Sequence, residues 1–278
     1  MRAVLYTTFA LVAFAFNSIL CRVALRGGEA DAAGFTLVRL VSGTVTLVVI
    51  SYFFERNKGF SERGNWLSAF FLFAYAICFS FAYLGLTAGT GGLILFGSVQ
   101  LTMIAIAIFR GERPHLLEWI GFAAAIGGLI YLVFPGLASP PLWNSALMAA
   151  AGAAWGFYTL RGRETSAPLA DTTGNFIRTV PMIVIAAISF LSKINLSTNG
   201  VVLAVLSGAV ASGVGYSVWY AALKYHTATR AAVLQLSVPL LVAVGGILFL
   251  AESATLRLAV AAALILGGIA LTIFSRKH

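Results

Sequence analysis

A chain of 278 residues that is 60% hydrophobic and only 10% charged is not built for water, since a soluble domain carries about 25% charged residues. Its net charge of +9 would point to a polyanion in a soluble protein. Here the Lys and Arg fall mainly between apolar runs, as in the cytoplasmic loops of membrane proteins, so no nucleic-acid partner is expected. Cys21 and Cys78 lie inside apolar runs and form neither a disulfide framework nor a metal spacing.

In chain order the apolar runs cover 3–25, 34–54, 66–87, 91–109, 116–134, 142–160, 173–191, 201–223, 229–250 and 255–274. A span needs roughly 20 apolar residues, and lipid cannot satisfy an open backbone, so each run is expected to be a helix. The first run exceeds the roughly 7–15 apolar residues of a cleavable leader and is read as a retained span. Charged or proline-rich breaks separate the runs, among them Arg26-Gly27-Gly28-Glu29, Arg110-Gly111-Glu112-Arg113-Pro114 and Pro140-Pro141. Pro181 and Pro239 lie inside runs, where each removes a backbone hydrogen bond and can kink its helix. Pairs four apart such as Gly85/Gly89, Gly152/Gly156, Gly208/Ser212 and Ala211/Gly215 let helix backbones approach closely in lipid.

The chain also repeats itself. Arg22/Arg161, Arg39/Arg178 and Ser98/Ser237 are each 139 residues apart, and Glu112/Glu252 and Gly127-Gly128/Gly267-Gly268 are 140 apart. The reading is two five-helix repeats, residues 1–137 and 138–278. An odd number of spans per copy inverts the second copy in the membrane, a construction used by secondary transporters, whose substrate sites lie near the midplane between repeats.

Loop charges set the orientation. With the N-terminus inside, the cytoplasmic face receives Arg2, Arg56, Lys58, Arg63, Arg110, Arg113, Arg161, Arg163, Lys224, Arg230, Arg276 and Lys277. The opposite face receives only Arg22, Arg26, Lys193 and Arg257, so both termini are expected in the cytoplasm of an inner-membrane, multi-pass protein.

No constellation for covalent catalysis is present. His115, His226 and His278 are not clustered as metal ligands, and no phosphate-binding glycine loop occurs; no enzyme activity, metal or cofactor is expected. The acidic residues Glu29, Asp31, Glu55, Glu62, Glu112, Glu118, Glu164, Asp171 and Glu252 all fall in loops or near span ends. Proton-driven transporters commonly place carboxylates within the membrane, so movement of substrate down its own gradient is expected. Arg39 and Arg178 sit early in their spans; each either binds an anionic group such as a carboxylate, or snorkels to a nearby interface and ties down a helix end.

Mid-span polar and aromatic residues are the candidate substrate site: Asn17, Ser18, Tyr75, Phe79, Tyr83, Ser98, Gln100, Trp155, Tyr158, Tyr216, Trp219, Tyr220, Gln235 and Ser237. Tyr75, Phe79 and Tyr83 share one helix face at i, i+4 and i+8, suited to an apolar or aromatic substrate side chain. The structural alternative for the aromatics is interhelical packing or an interfacial belt. Asn17 and Gln100 carry amides that are expensive in lipid. A non-transporting membrane scaffold would turn both against neighbouring helices with no cavity.

Phe35-Thr36-Leu37-Val38-Arg39, Trp219-Tyr220-Ala221-Ala222-Leu223-Lys224-Tyr225, Leu236-Ser237-Val238-Pro239-Leu240, Glu252 and Gly267-Gly268 together resemble the drug/metabolite transporter superfamily, in its ten-helix exporter branch named for the EamA-type repeat. Phe81-Ala82-Tyr83-Leu84-Gly85-Leu86, Ser98-Val99-Gln100 and Glu112 are weaker first-copy versions. The first copy departs from the pattern at Gln100, where the second has Pro239, which removes the warrant for a symmetric kink. The resemblance implies an all-α integral membrane transporter, similar to bacterial exporters of amino acids, aromatic ones in particular. Its partners would be an amino-acid-like small molecule and the lipid bilayer, with no oligomer required. A multidrug exporter or a metabolite importer of the same fold is the alternative.

Overall fold

The computed structural model describes the chain except residues 56–62, 112–114, 137–138, 163–164, 191, 193, 227–230, 232–233 and 276–278. The loop charges Arg56, Lys58, Arg113, Arg163, Lys193, Arg230, Arg276 and Lys277, the carboxylates Glu62, Glu112 and Glu164, and Pro114 and His278 therefore lie outside the described residues, as does the side chain of Glu55.

The described residues form ten helices: α1 (Arg2–Arg26), α2 (Ala32–Glu55), α3 (Trp66–Ala82), α4 (Ala88–Phe109), α5 (Leu116–Val133), α6 (Leu142–Gly162), α7 (Pro168–Ile188), α8 (Thr198–Leu223), α9 (Ser237–Leu250) and α10 (Leu256–Ser275). Six of them, α1, α2, α4, α5, α8 and α10, are long and apolar enough to cross a membrane, and α3 and α9 are shorter apolar helices. Small polar residues start five of the ten. Asp31 Oδ1 accepts from the Ala33 and Gly34 amides at the start of α2. Asn65, Thr87, Ser197 and Thr255 do the same for α3, α4, α8 and α10, satisfying amides that have no partner in the first turn.

Three boundaries differ from expectation. Helix α7 starts five residues before the run 173–191, because Pro168 fits the first turn and because Thr172, Thr173 and Asn175 are buried inward rather than solvated in a loop. Helix α3 ends at Ala82, and the following turn is closed by amide bonds from Tyr83 and Leu86. Pro239 is the third residue of α9, where a missing amide costs the helix little, and a turn at Leu236 separates α9 from the helical residues 234–235.

Packing runs between the predicted halves more than within them. Helix α10 lies on α5, α6 on both α3 and α4, α7 on α2, and α9 on α1 and α4. No hydrophobic force drives such contacts in lipid, so close approach must supply the van der Waals energy. Gly121 and Gly268 bring α5 and α10 together until a Cβ on either would strike the other's carbonyl. Within α8, residues Leu206–Val214 widen into a π-helix, where Ser212 Oγ donates to the Ser207 carbonyl (2.9 Å). This stretch lies against α2, and a Cβ at Gly208 would collide with the Arg39 carbonyl. π-Helical turns of this kind are frequent at functional sites.

Candidate functional site

Between the halves lies a cavity of about 780 Å³, within the range of small-molecule sites. Its wall reaches the helix ends at Asn65, Arg110, Arg161, Pro168, Leu223 and Ile273, so it opens at the end of the bundle that these residues share. Asn17, Ser18, Tyr75, Gln100, Trp155, Tyr158, Tyr216, Trp219, Tyr220 and Gln235 all line it. Phe79, Tyr83, Ser98 and Ser237 do not.

An aromatic box surrounds Trp155. Its ring lies 4.7 Å from Tyr75, 5.3 Å from Tyr158 and 5.3 Å from Tyr216, centroid to centroid. Phe14 extends the wall, 5.6 Å from Tyr216 and 5.9 Å from Trp219. Each such pair contributes about 0.5–1.5 kcal/mol beyond area burial, which holds the rings as a rigid apolar surface. The shared face of Tyr75, Phe79 and Tyr83 exists, but only Tyr75 reaches the cavity. Phe79 packs on Tyr75 (5.4 Å) and Tyr83 on Phe79 (4.8 Å), both fully buried. That column fills the bundle where the cavity ends. Ser98 lies in the α4–α6 contact, 2.6 Å from where a Cβ on Gly152 would sit, and Ser237 Oγ donates to the Leu234 carbonyl (2.7 Å).

Polar groups sit at the deep end. Asn17 Nδ2 donates to the Tyr75 hydroxyl (3.2 Å), and Asn17 Oδ1 accepts from Ser207 Oγ (2.7 Å). Arg39 Nη2 also donates to the Tyr75 hydroxyl (3.1 Å). The Arg39 guanidinium carbon lies 5.3 Å from the Tyr75 ring centroid and 5.1 Å from that of Phe79. Arg39 is 2% exposed, and its Nε and Nη1 have no hydrogen-bond partner. It does not snorkel: it lies seven residues into α2, about 10 Å along the helix axis, with its head enclosed. Two desolvated cation–π contacts return about 2 kcal/mol each, against several kcal/mol for taking a cation out of water.

Arg178, its counterpart 139 residues on, has different surroundings. Its Nη1 donates to the Arg63 and Gly174 carbonyls (3.0 Å each), and it stands 5.9 Å from the Trp66 ring centroid. It ties α7 to the start of α3 at the open end.

Sequence reasoning missed part of the wall. Thr172 and Asn175 of α7 line the cavity. Thr172 Oγ1 donates to the Tyr220 hydroxyl (3.0 Å), and Asn175 Oδ1 accepts from the Asn65 amide (2.9 Å). Their signal was the spacing of Thr172, Asn175 and Thr179, which puts small polar groups on one helix face. Asp171 is the one carboxylate among the described lining residues, and it sits at the mouth, accepting from the Gly64 amide (3.1 Å) and the Thr165 hydroxyl.

The opposite end is shut by contacts between the halves. Arg22 Nε meets Glu252 Oε1 at 3.5 Å, with side chains 13% and 8% exposed. Glu252 also accepts from the Ala88 amide (2.8 Å) at the start of α4, and Arg22 Nη1 donates to the Tyr83 carbonyl (2.8 Å). Ala251 takes a left-handed conformation (φ 50°) and swings Glu252 into this position. Beyond it the loops pair as a short antiparallel bridge at Ala30 and Leu196, with Asp31 and Asn195 joined by main chain and side chain.

Comparison with known proteins agrees with this architecture. The profile of the EamA-like transporter family matches residues 1–134 and again 142–274. An uncharacterized protein of Pseudomonas aeruginosa is 46% identical over 99% of this chain and 96% of its own. The threonine/homoserine exporter RhtA of Escherichia coli is 27% identical over 89% of this chain and 84% of its own; that of Salmonella typhimurium is 27% identical over 81% and 76%. A crystal structure of a protein superposes with TM-score 0.69 over 99% of both chains at 18% identity, which supports the fold alone. The chain therefore belongs to the EamA-like transporter family of the drug/metabolite transporter superfamily, a family of multi-pass membrane transporters of small molecules.

Proposed function

We propose that this protein exports small amphiphilic metabolites, amino acids above all, across the inner membrane by alternating access through the cavity between its two inverted halves. The observation that carries this reading is the cavity's chemistry: an aromatic box beside amide and hydroxyl groups, with no carboxylate deeper than Asp171 among the described lining residues. Such a wall suits a zwitterion with an apolar side chain. The loop charges favour both termini in the cytoplasm, and the open end, which carries Arg110 and Arg161, would then face inward to load substrate. With no carboxylate but Asp171 among the described lining residues, the transport is facilitated, and a single chain suffices. A packing role for Asn17 and Gln100 would need no cavity beside them, which counts against a scaffold.

The relatives named as exporters carry small polar amino acids in their names, whereas the Trp155 box favours a flat side chain. Efflux from vesicles reconstituted with the purified protein, using labelled phenylalanine, tryptophan and threonine, separates the two. Phenylalanine and tryptophan are expected to move faster than threonine. Threonine moving while both aromatics fail would overturn the substrate preference, and uphill accumulation driven by a pH gradient alone would overturn facilitation. Asn17→Ala and Gln100→Ala are expected to lower efflux while leaving expression unchanged.

A further inference from the structure

We infer that the hydroxyl of Tyr75, backed by the buried guanidinium of Arg39, is the group that recognises the substrate's carboxylate. The inference rests on the amino-acid reading above and assigns one end of the substrate to one atom of the protein.

Ser207 Oγ occupies Asn17 Oδ1 (2.7 Å), which leaves the Asn17 amide nitrogen to donate to Tyr75 (3.2 Å). Arg39 Nη2 donates to the same oxygen (3.1 Å), and a guanidinium can only donate. The Tyr75 oxygen thus receives two donors, and its own proton is left to give. Tyr75 lines the cavity, so the acceptor that would take this proton is a ligand.

The charge behind it makes that acceptor anionic. Arg39 is 2% exposed, and two of its three nitrogens have no partner. Among the described residues Arg22 pairs with Glu252 at the closed end, and no described carboxylate neutralises Arg39. A buried cation within the membrane marks a candidate functional site, and here it donates to the hydroxyl of Tyr75, a residue of the cavity wall. Tyr75 is a binding residue and Arg39 a positioning residue, acting through that hydroxyl. Trp155, 4.7 Å from Tyr75, would hold the side chain of a substrate whose carboxylate sits on Tyr75. Arg178, whose Nη1 already donates to the Arg63 and Gly174 carbonyls, takes no such part.

The test compares phenylalanine with phenylalaninamide, and threonine with threoninamide, by fluorescence titration of the purified full chain in detergent and by competition in vesicle efflux. The unmodified protein is expected to favour each acid over its amide by on the order of tenfold or more, the effect of one charge-assisted hydrogen bond. Tyr75→Phe keeps the ring and the box and should reduce the acid to the level of the amide, leaving the amide unchanged. Arg39→Met should do the same, and Arg39→Lys should restore part of the preference, which a purely structural role would not produce. Acids bound and carried with no preference over amides, or a preference that survives Tyr75→Phe, would overturn the inference while leaving the transport reading intact. Neither acid nor amide bound or carried, with efflux of the apolar cation tetraphenylphosphonium instead, would overturn both.

Discussion

The two ends of the bundle are joined by different chemistry. At the closed end the halves meet through opposite charges and paired backbone: Arg22 with Glu252, Glu252 with the start of α4, and the bridge at Ala30 and Leu196. At the open end they meet through neutral or half-neutral bonds. Arg161 Nε donates to Ser68 Oγ (3.1 Å), Asn175 accepts from the Asn65 amide (2.9 Å), and Thr7 Oγ1 lies 2.7 Å from His226 Nε2. These lie around a cavity and not across it. The difference teaches where a change of access must be made: the closed end has a small set of contacts to release, and the open end has a mouth to narrow.

The largest effect should come from locking the closed end. Ala30 and Leu196 are a non-hydrogen-bonded antiparallel pair, as the flanking bonds from the Asp31 and Ser197 amides show, and such pairs have Cα atoms about 4.5 Å apart, within disulfide reach. With Cys21 and Cys78 replaced by Ala, Ala30→Cys combined with Leu196→Cys is expected to abolish vesicle efflux when oxidised and to recover it on reduction. Full efflux by the oxidised form would mean that this end never opens.

Glu252→Gln is intermediate. It leaves Arg22 largely buried without its counter-charge, at a cost of about 1–3 kcal/mol. A fall of about 3–10 °C in the thermal midpoint of the purified protein is expected, converting at about 2–4 °C per kcal/mol for a chain of this size. An unchanged midpoint would remove the ion pair from the account of the closed end.

The smallest effect is at Ala251, whose φ of 50° costs an L-residue roughly 1 kcal/mol. Ala251→Gly relieves the strain but adds freedom to the unfolded chain, so a gain of up to about 1 kcal/mol and about 1–3 °C is expected. A loss of stability would show that Glu252 is aimed by something else.

Much of this was legible in the sequence because lipid makes strong demands. Apolar runs must become helices, and amides such as Asn17 and Gln100 must find a polar surface, so both were recognisable beside the cavity. What was not legible depends on distance. Arg22 and Glu252 are 230 residues apart, and nothing local marks them as partners. Tyr75, Phe79 and Tyr83 looked equivalent because periodicity fixes a face but not the depth at which a cavity ends. Thr172 and Asn175 were hidden because polar residues near a charged loop read as solvated, while they are 2% and 6% exposed. Arg39 and Arg178 match in sequence yet differ in surroundings, since only Arg178 has carbonyls within reach of its head.

The most direct test is side-specific labelling of Phe14→Cys, a cavity position, in a Cys21→Ala, Cys78→Ala background in sealed vesicles of both orientations. A membrane-impermeant thiol reagent is expected to react quickly from the face bearing Arg110 and Arg161 and slowly from the other, with the slow rate rising in Glu252→Gln. Equal rates from both faces in the protein with Glu252 in place, or no reaction from either, would contradict a cavity open at one end and latched at the other.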